Sequence, residues 1–216
     1  MRTKSHRIIP LSDNDRIHNW DTVIFLAVVF DAMASSLPQH LRDDLEQILP
    51  DELETVMSAL DNIHDDVRHY GDLSKLAKDA SDLANAVVLS TYGGPPTRNR
   101  LILPPALAEL AALDYVGLDA MGHAICHDKA SAKHLARDCG LNTPAWRLLR
   151  DEGDLSLCKE FPTPYVLKPV AEGSSIGISQ NSLINNGSEG ERIAKELFER
   201  FDQPVLMEAF APGRDV

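Results

Sequence analysis

The chain opens its ordered pattern with an uninterrupted apolar run, residues 23–30 (Val-Ile-Phe-Leu-Ala-Val-Val-Phe). Eight apolar residues without alternation predict a strand buried on both faces, as in a parallel sheet. Helical spacing follows at Leu41, Leu45, Ile48 and Leu49, is interrupted by Pro50, and resumes at Leu53, Val56, Met57 and Leu60. Residues 67–70 read as a short strand, 73–85 as a helix, 86–90 (Ala-Val-Val-Leu-Ser) as a second buried strand, 103–112 as an apolar helix and 115–117 as a last short strand. Alternating β and α elements predict a small open parallel sheet with right-handed crossovers. In such sheets ligands sit at the carboxyl ends of strands, which directs attention to the loops after Phe30 and Ser90.

Beyond about Leu118 the pattern changes. Asp128 is placed to cap a helix over 129–139 with Ala132, Leu135, Ala136 and Cys139 on one face, and Gly140 to end it. Strands are predicted at 145–149, 165–168 and 204–210, with 176–179 as a hairpin partner of the second. Ser188 and Glu191 form a capping-box pattern that opens a helix with Ile193, Ala194, Leu197, Phe198 and Phe201 inward. The expected organisation is α/β, with one part over 1–118 and another over 119–216.

Composition narrows the function classes. The 216 residues are 44% apolar and 25% charged, as in ordinary globular proteins, and carry a net charge of −12. No basic face of the kind that neutralises nucleic-acid phosphates is visible, so nucleic acid is not an expected partner. Three cysteines, Cys126, Cys139 and Cys158, form no CxxC pair and fit a reducing cytoplasm. No apolar run reaches the length needed to span a bilayer, so no membrane partner is expected.

Neither a GxxxxGK[ST] loop nor a G-x-G-x-x-G turn occurs. The informative stretch is 168–177, Lys-Pro-Val-Ala-Glu-Gly-Ser-Ser-Ile-Gly. A strand delivers a lysine, then a small flexible segment whose glycines let main-chain N–H groups approach an anion and whose serines add hydroxyl donors. Such a loop can close over a triphosphate, although a Gly/Ser turn between strands is by itself usually just a hairpin. Lys129 at a capped helix start could face the same anion, or simply solvent. After the strand at 204–210, the Ala-Pro-Gly turn near Asp215 could read a nucleobase edge, or merely end the strand. His123, Cys126 and His127 share a helix face at metal-ligand spacing but lack a fourth ligand at a typical distance, and no metal ligand is assigned.

Taken in order, Asp128-Lys129, Thr143-Pro144, Val166-Leu167-Lys168-Pro169, the six residues from Glu172 to Gly177, and Val205-Leu206-Met207-Glu208 with Pro212-Gly213-Arg214-Asp215 resemble the D-alanine–D-alanine ligase branch of the ATP-grasp superfamily. The resemblance covers roughly 115–216; before that, only the βα order matches. It implies a pre-ATP-grasp βα domain over 1–118 followed by the central α+β nucleotide lobe over 119–216, with the C-terminal lobe absent. Lys129 and Lys168 would contact ATP phosphates. Glu172, Ser174 and Ser175 would belong to the loop over the γ-phosphate, the two serines being the catalytic candidates. Glu208 and the main chain at Ala209 and Ala211 would hold the adenine, and Asp215 the ribose. The implied reaction is ATP-dependent carboxylate–amine ligation through an acyl phosphate, with Mg²⁺ held by a following lobe and a small carboxylate or amino acid as substrate. A homodimer is compatible with it. The alternative is a non-catalytic nucleotide-binding or interaction module, or a split subunit. Where the family carries a Ser- and Glu-bearing motif after the first strand, this chain has Asp31-Ala32-Met33-Ala34-Ser35-Ser36. Where the family carries a histidine-glycine motif after the third, it has Thr91-Tyr92-Gly93-Gly94. The nucleotide half of the pattern is present and the D-alanine half is not, which argues against D-alanine as substrate.

Overall fold

The computed structural model describes residues 20–26, 49–83, 85–91 and 98–213. The chain divides into two compact units, Met1–His123 and Ala124–Val216.

The first unit contains four parallel strands among the described residues, β1 (Thr22–Leu26), β2 (Val67–Tyr70), β3 (Ala86–Ser90) and β4 (Asp114–Val116), in the order β2-β1-β3-β4. Its helices are α1 (Pro50–Asp61), α2 (Leu73–Asp79) and α3 (Leu103–Leu110). The absence of alternation in β1 is explained by its position. Val23 and Phe25 pack with Val87 and Leu60 of α1, while Ile24 packs with Val88, Leu76 of α2 and Ala108 of α3. Hydrocarbon covers both faces of the central strands, which is what a parallel sheet requires.

Local chemistry sets the element boundaries and corrects one of them. Pro50 is the first residue of α1, where its missing N–H costs nothing, and Leu49 before it is extended. Asp72 caps α2, its carboxylate accepting from Ser74 N at 2.8 Å. The helix stops at Asp79 rather than running to 85: a 3₁₀ turn at Ala80–Asp82 follows, and Asn85 at φ 61° turns the chain into β3. Asn tolerates that left-handed conformation better than most residues. The outer part of the expected first strand, 27–30, the helix over 41–48 and the loop residues 31–36 and 92–97 lie outside the described residues.

Helix α4 (Ala120–His127) spans the division between the units. The second unit then has α5 (Lys129–Asp138), β5 (Trp146–Leu149), a short helix α6 (Leu157–Glu160), β6 (Tyr165–Pro169), β7 (Leu183–Ile184), α7 (Gly187–Phe201) and β8 (Val205–Ala209). The strands form an antiparallel sheet in the order β5-β8-β6-β7. Gly140, at φ 77°, ends α5 as expected, with Leu141 N donating to Ala136 O at 2.9 Å.

Two expectations fail in this unit. The hairpin partner of β6 is Leu183–Ile184, not 176–179. Ser174, Ser175 and Gly177 all have positive φ (47°, 61° and 73°), a backbone that cannot extend into a strand. The capping residue of α7 is Asn186, whose side chain accepts from Ser188 N at 2.9 Å, so Ser188 lies inside the first turn and not at its cap. Gly187 opens that helix because a Cβ there would lie 2.6 Å from Lys159 Cα.

One face of this sheet is hydrocarbon: Leu149, Tyr165, Leu167, Ile184, Val205 and Met207 pack against Ile193, Ala194, Leu197 and Phe201 of α7 and Cys158 of α6. The other face carries Leu206, Trp146 and Leu148 against Ala130 of α5. It also carries the charges described next. Among the described residues no helix is long and apolar enough to cross a membrane.

Candidate functional site

Side chains alternate along a strand, so register decides which ones meet. In β6, Tyr165, Leu167 and Pro169 face α7, which sends Val166 and Lys168 to the opposite side. In β8, Val205 and Met207 face α7, which sends Leu206 and Glu208 to that same side. Lys168 lies opposite Leu206 and Glu208 opposite Val166, a diagonal that a long lysine spans. Lys168 Nζ accordingly forms an ion pair with Glu208 Oε2.

A second lysine reaches the same carboxylate. Lys133, one helical turn after Lys129 on α5, pairs with Glu208 Oε1. Its ammonium also donates to the Thr143 hydroxyl and, at 3.5 Å, to the Pro144 carbonyl. These groups are largely removed from water: the side chains of Lys133, Glu208 and Lys168 are 12%, 15% and 20% exposed. Burial pushes the Glu208 carboxyl upward, but hydrogen bonds and charge from Lys133 and Lys168 outweigh it and hold the group below the ordinary glutamate range.

Beside this cluster lies the loop that follows β6. Asp128 caps α5 through Ser131 N at 2.8 Å, and Lys129 N donates to Val170 O at 3.0 Å, seating the helix start against the strand end. Lys129 Nζ donates to Pro169 O at 3.0 Å and to Glu172 O. The buried Glu172 side chain turns to Gln203, whose amide N donates to Glu172 Oε1 at 2.6 Å while its amide O accepts from Ala171 N at 2.7 Å. The loop root is thus held from two sides. Its tip is exposed: Ser174 and Ser175 occupy a turn closed by Ile176 N donating to Gly173 O at 2.8 Å. Gly177 then packs so closely on Pro169 that a Cβ would lie 2.5 Å from its ring.

The structure therefore brings Lys168 to Glu208, and Lys129 to the Glu172 carbonyl. Ser174 and Ser175 stand on the adjoining tip. Ala209 N donates to Ala145 O at 2.8 Å as part of the sheet, so that N–H is occupied; Ala211 lies past the strand end, exposed. Asp215 lies outside the described residues. Sequence reasoning missed Lys133 and Gln203, and gave Thr143, quoted within a motif block, no role. The spacing of Lys133 four residues after Lys129, on one helix face, was the available signal for the first. Nothing local marked Gln203. Among the described residues no cluster of three or more His, Cys, Asp or Glu side chains could hold a metal ion, the trio His123, Cys126 and His127 included.

Comparison with known proteins bears on this arrangement. A D-alanine–D-alanine ligase from Aquifex aeolicus is 33% identical over 110 residues, which is 51% of this chain and 36% of that protein. Over about half its length this chain is similar to D-alanine–D-alanine ligases. The fold agrees. The VanG D-Ala:D-Ser ligase of Enterococcus faecalis superposes with a TM-score of 0.59 at 16% identity, covering 90% of this chain and 64% of that one. The ATP complex of the Bacillus anthracis D-alanine–D-alanine ligase gives 0.55 at 17%, covering 89% and 60%. No protein-family model matches the chain. The matched segment thus amounts to about a third of the curated ligase's length, and the α/β architecture, parallel sheet then antiparallel sheet, is that of its partial structural neighbours.

Proposed function

We propose that this chain supplies the nucleotide-holding part of an ATP-dependent carboxylate–amine ligase. The observation that carries the reading is the Lys168–Glu208–Lys133 cluster on one sheet face, beside a glycine- and serine-bearing loop rooted by Lys129. Lysines matched to a carboxylate in a shielded place can exchange that partner for phosphate oxygens, which accept charge-assisted hydrogen bonds of comparable strength. Lys129 and Lys168 are assigned to the phosphates, Glu172, Ser174 and Ser175 to the loop over them, Glu208 and the chain from Ala209 to Ala211 to the base, and Asp215 to the ribose. Residues 1–118 and 119–216 are taken as the two domains. Ligases of this kind phosphorylate a carboxylate to an acyl phosphate, which an amine then attacks. The protein's part is orientation and charge stabilisation. Mg²⁺ bridges phosphates in such chemistry, and none of the described side chains is assigned to it.

The departures at Asp31–Ser36 and Thr91–Gly94 lead us to assign a carboxylate substrate other than D-alanine. Calorimetric titration with ATP tests the binding claim: micromolar to millimolar affinity is expected, weakened at least about tenfold in Lys168→Ala, where a charge-assisted partner is lost. Equal affinity in both proteins removes Lys168 from the site. Phosphate release with a panel of amino acids tests the substrate; strong selective stimulation by D-alanine refutes the assignment, and binding without release in the presence of every candidate favours a non-catalytic module.

A further inference from the structure

An ammonium carries three protons, and Lys133 has three acceptors: Glu208 Oε1, the Thr143 hydroxyl and the Pro144 carbonyl. Two of these belong to the segment that leads into β5, so Lys133 is tied to fixed structure at the end remote from Glu208. Lys168 is held differently. Its one described side-chain partner is Glu208 Oε2. The same carboxylate is thus gripped by one anchored lysine and one with no other side-chain partner among the described residues.

We propose that Lys133 is a positioning residue of the nucleotide site: it fixes the Glu208 carboxylate and stays as its counter-charge when Lys168 turns to a phosphate. The inference rests on the nucleotide reading above. Its physical ground is the cost of stranding a charge. A carboxylate only 15% exposed is expensive to leave unpaired, and breaking such a pair by removing one partner is far worse than never having built it. With a single lysine, ATP binding would have to offset that cost each time Lys168 departed. With Lys133 in place, Glu208 remains paired and Lys168 departs cheaply.

The surroundings of Glu208 restrict what else could serve. From α5 come Lys133 and, next to it, His134, whose ring stands edge-on to Trp146 at 4.6 Å between centroids. From β6 comes Lys168. Trp146, opposite Glu208 on β5, carries no charge, and its neighbour Arg147 points to the other face, toward Glu160 at 3.5 Å. Without Lys133, no other described cation opposes the burial of Glu208 once Lys168 has left, and the carboxylate takes up a proton.

That consequence is measurable. ATP is titrated calorimetrically into the wild-type chain, Lys133→Met and Lys133→Arg, in buffers of different ionisation enthalpy between pH 6 and 8. Lys133→Met is expected to bind about tenfold more weakly, to take up more protons on binding than wild type, and to lose further affinity relative to wild type as pH rises. Lys133→Arg is expected to restore both affinity and proton balance. Thr143→Val, which removes one of the two anchoring acceptors, should shift affinity the same way by about threefold, and serves if Lys133→Met does not fold. Wild-type binding with Lys133→Met equal to it in affinity and proton uptake overturns this inference alone. An absence of ATP binding in the wild type overturns the nucleotide reading, and this inference with it.

Discussion

The two sheets of this protein solve the same burial problem in different ways. In the first unit, the central strands β1 and β3 are walled by hydrocarbon on both faces, with Val23, Phe25 and Val87 to one side and Ile24, Ala86 and Val88 to the other. In the second, the antiparallel sheet gives one face wholly to α7 and α6 and places Lys168 and Glu208 on the other, where α5 adds Lys133. A parallel sheet wrapped by crossover helices has little room for charge inside. An antiparallel sheet can spare a face for it. The lesson is that the second unit's core is only half of its design, and its other face is committed to electrostatics at some cost in apolar burial.

The contrast is open to attack first through the cores. Ile24→Ala empties a fully buried position on β1 and should cost about 3 kcal/mol, the usual range for such a deletion. Hydrogen exchange should show the loss at 22–26 and 86–90 while 165–169 and 205–209 keep their protection. A uniform loss across both sheets would mean that the two units unfold as one.

The converse substitution is Gly190→Ala on α7. Its Cβ would stand 2.0 Å from the Tyr165 hydroxyl, which donates to Cys158 O at 2.9 Å inside the second core. The ring is fully buried and has nowhere to go, so overpacking of about 2 kcal/mol is expected, confined to the second unit. Denaturant unfolding with the same exchange readout checks it; a wild-type midpoint would show that the contact relaxes freely.

Acid separates the units more gently. Glu208 titrates below its ordinary value of 4.5 in the folded protein. A carboxyl depressed by folding contributes stability that is complete above the unfolded value and is lost as pH falls through the folded one. Asp66 in the first unit is also lowered, first by its hydrogen bond from Arg68, but that pair is 40–48% exposed and solvent screens it. Stability measured from pH 7 down to 3 should therefore drop by less in Glu208→Gln than in wild type, whereas Asp66→Asn should leave the acid limb nearly unchanged. Equal flattening by both would remove the distinction between shielded and exposed pairs.

The smallest effect has the opposite sign. Ser175, at φ 61°, holds a left-handed backbone that strains an L-residue. Ser175→Gly should raise stability by about 0.5 kcal/mol, the strain relieved less the entropy glycine adds to the unfolded chain. If the serine hydroxyl also serves a phosphate, the more stable variant binds ATP less well; a gain in both would deny it that role.

Much of this was legible in the residues. The continuous run in β1 announced a strand buried on both faces, the Asp128 cap and Gly140 stop framed α5, and Lys168 with its Gly/Ser loop directed attention to the strand end where the Lys168–Glu208–Lys133 cluster stands. The failures share a cause. The expected strand at 176–179 rests on residue type and the cap at Ser188 on capping-box spacing, but backbone handedness at Ser174 and Ser175 and the side chain of Asn186 decide those places.

What the sequence determined by itself was therefore local: the periodicity of the main strands and helices, the cap and stop of α5, and the order of motif blocks. What only the tertiary structure decided was partnership. Lys168 and Glu208 are forty residues apart, and it is the register of β6 against β8 that puts them on one face and one diagonal. Lys133 reads as an ordinary helix-surface lysine until α5 is laid across that face, and Gln203 as an ordinary turn residue until its amide meets both Ala171 and Glu172. Periodicity tells a side chain which way to face along its own element. The groups waiting on the far side are set by how the elements pack, and no local pattern encodes that.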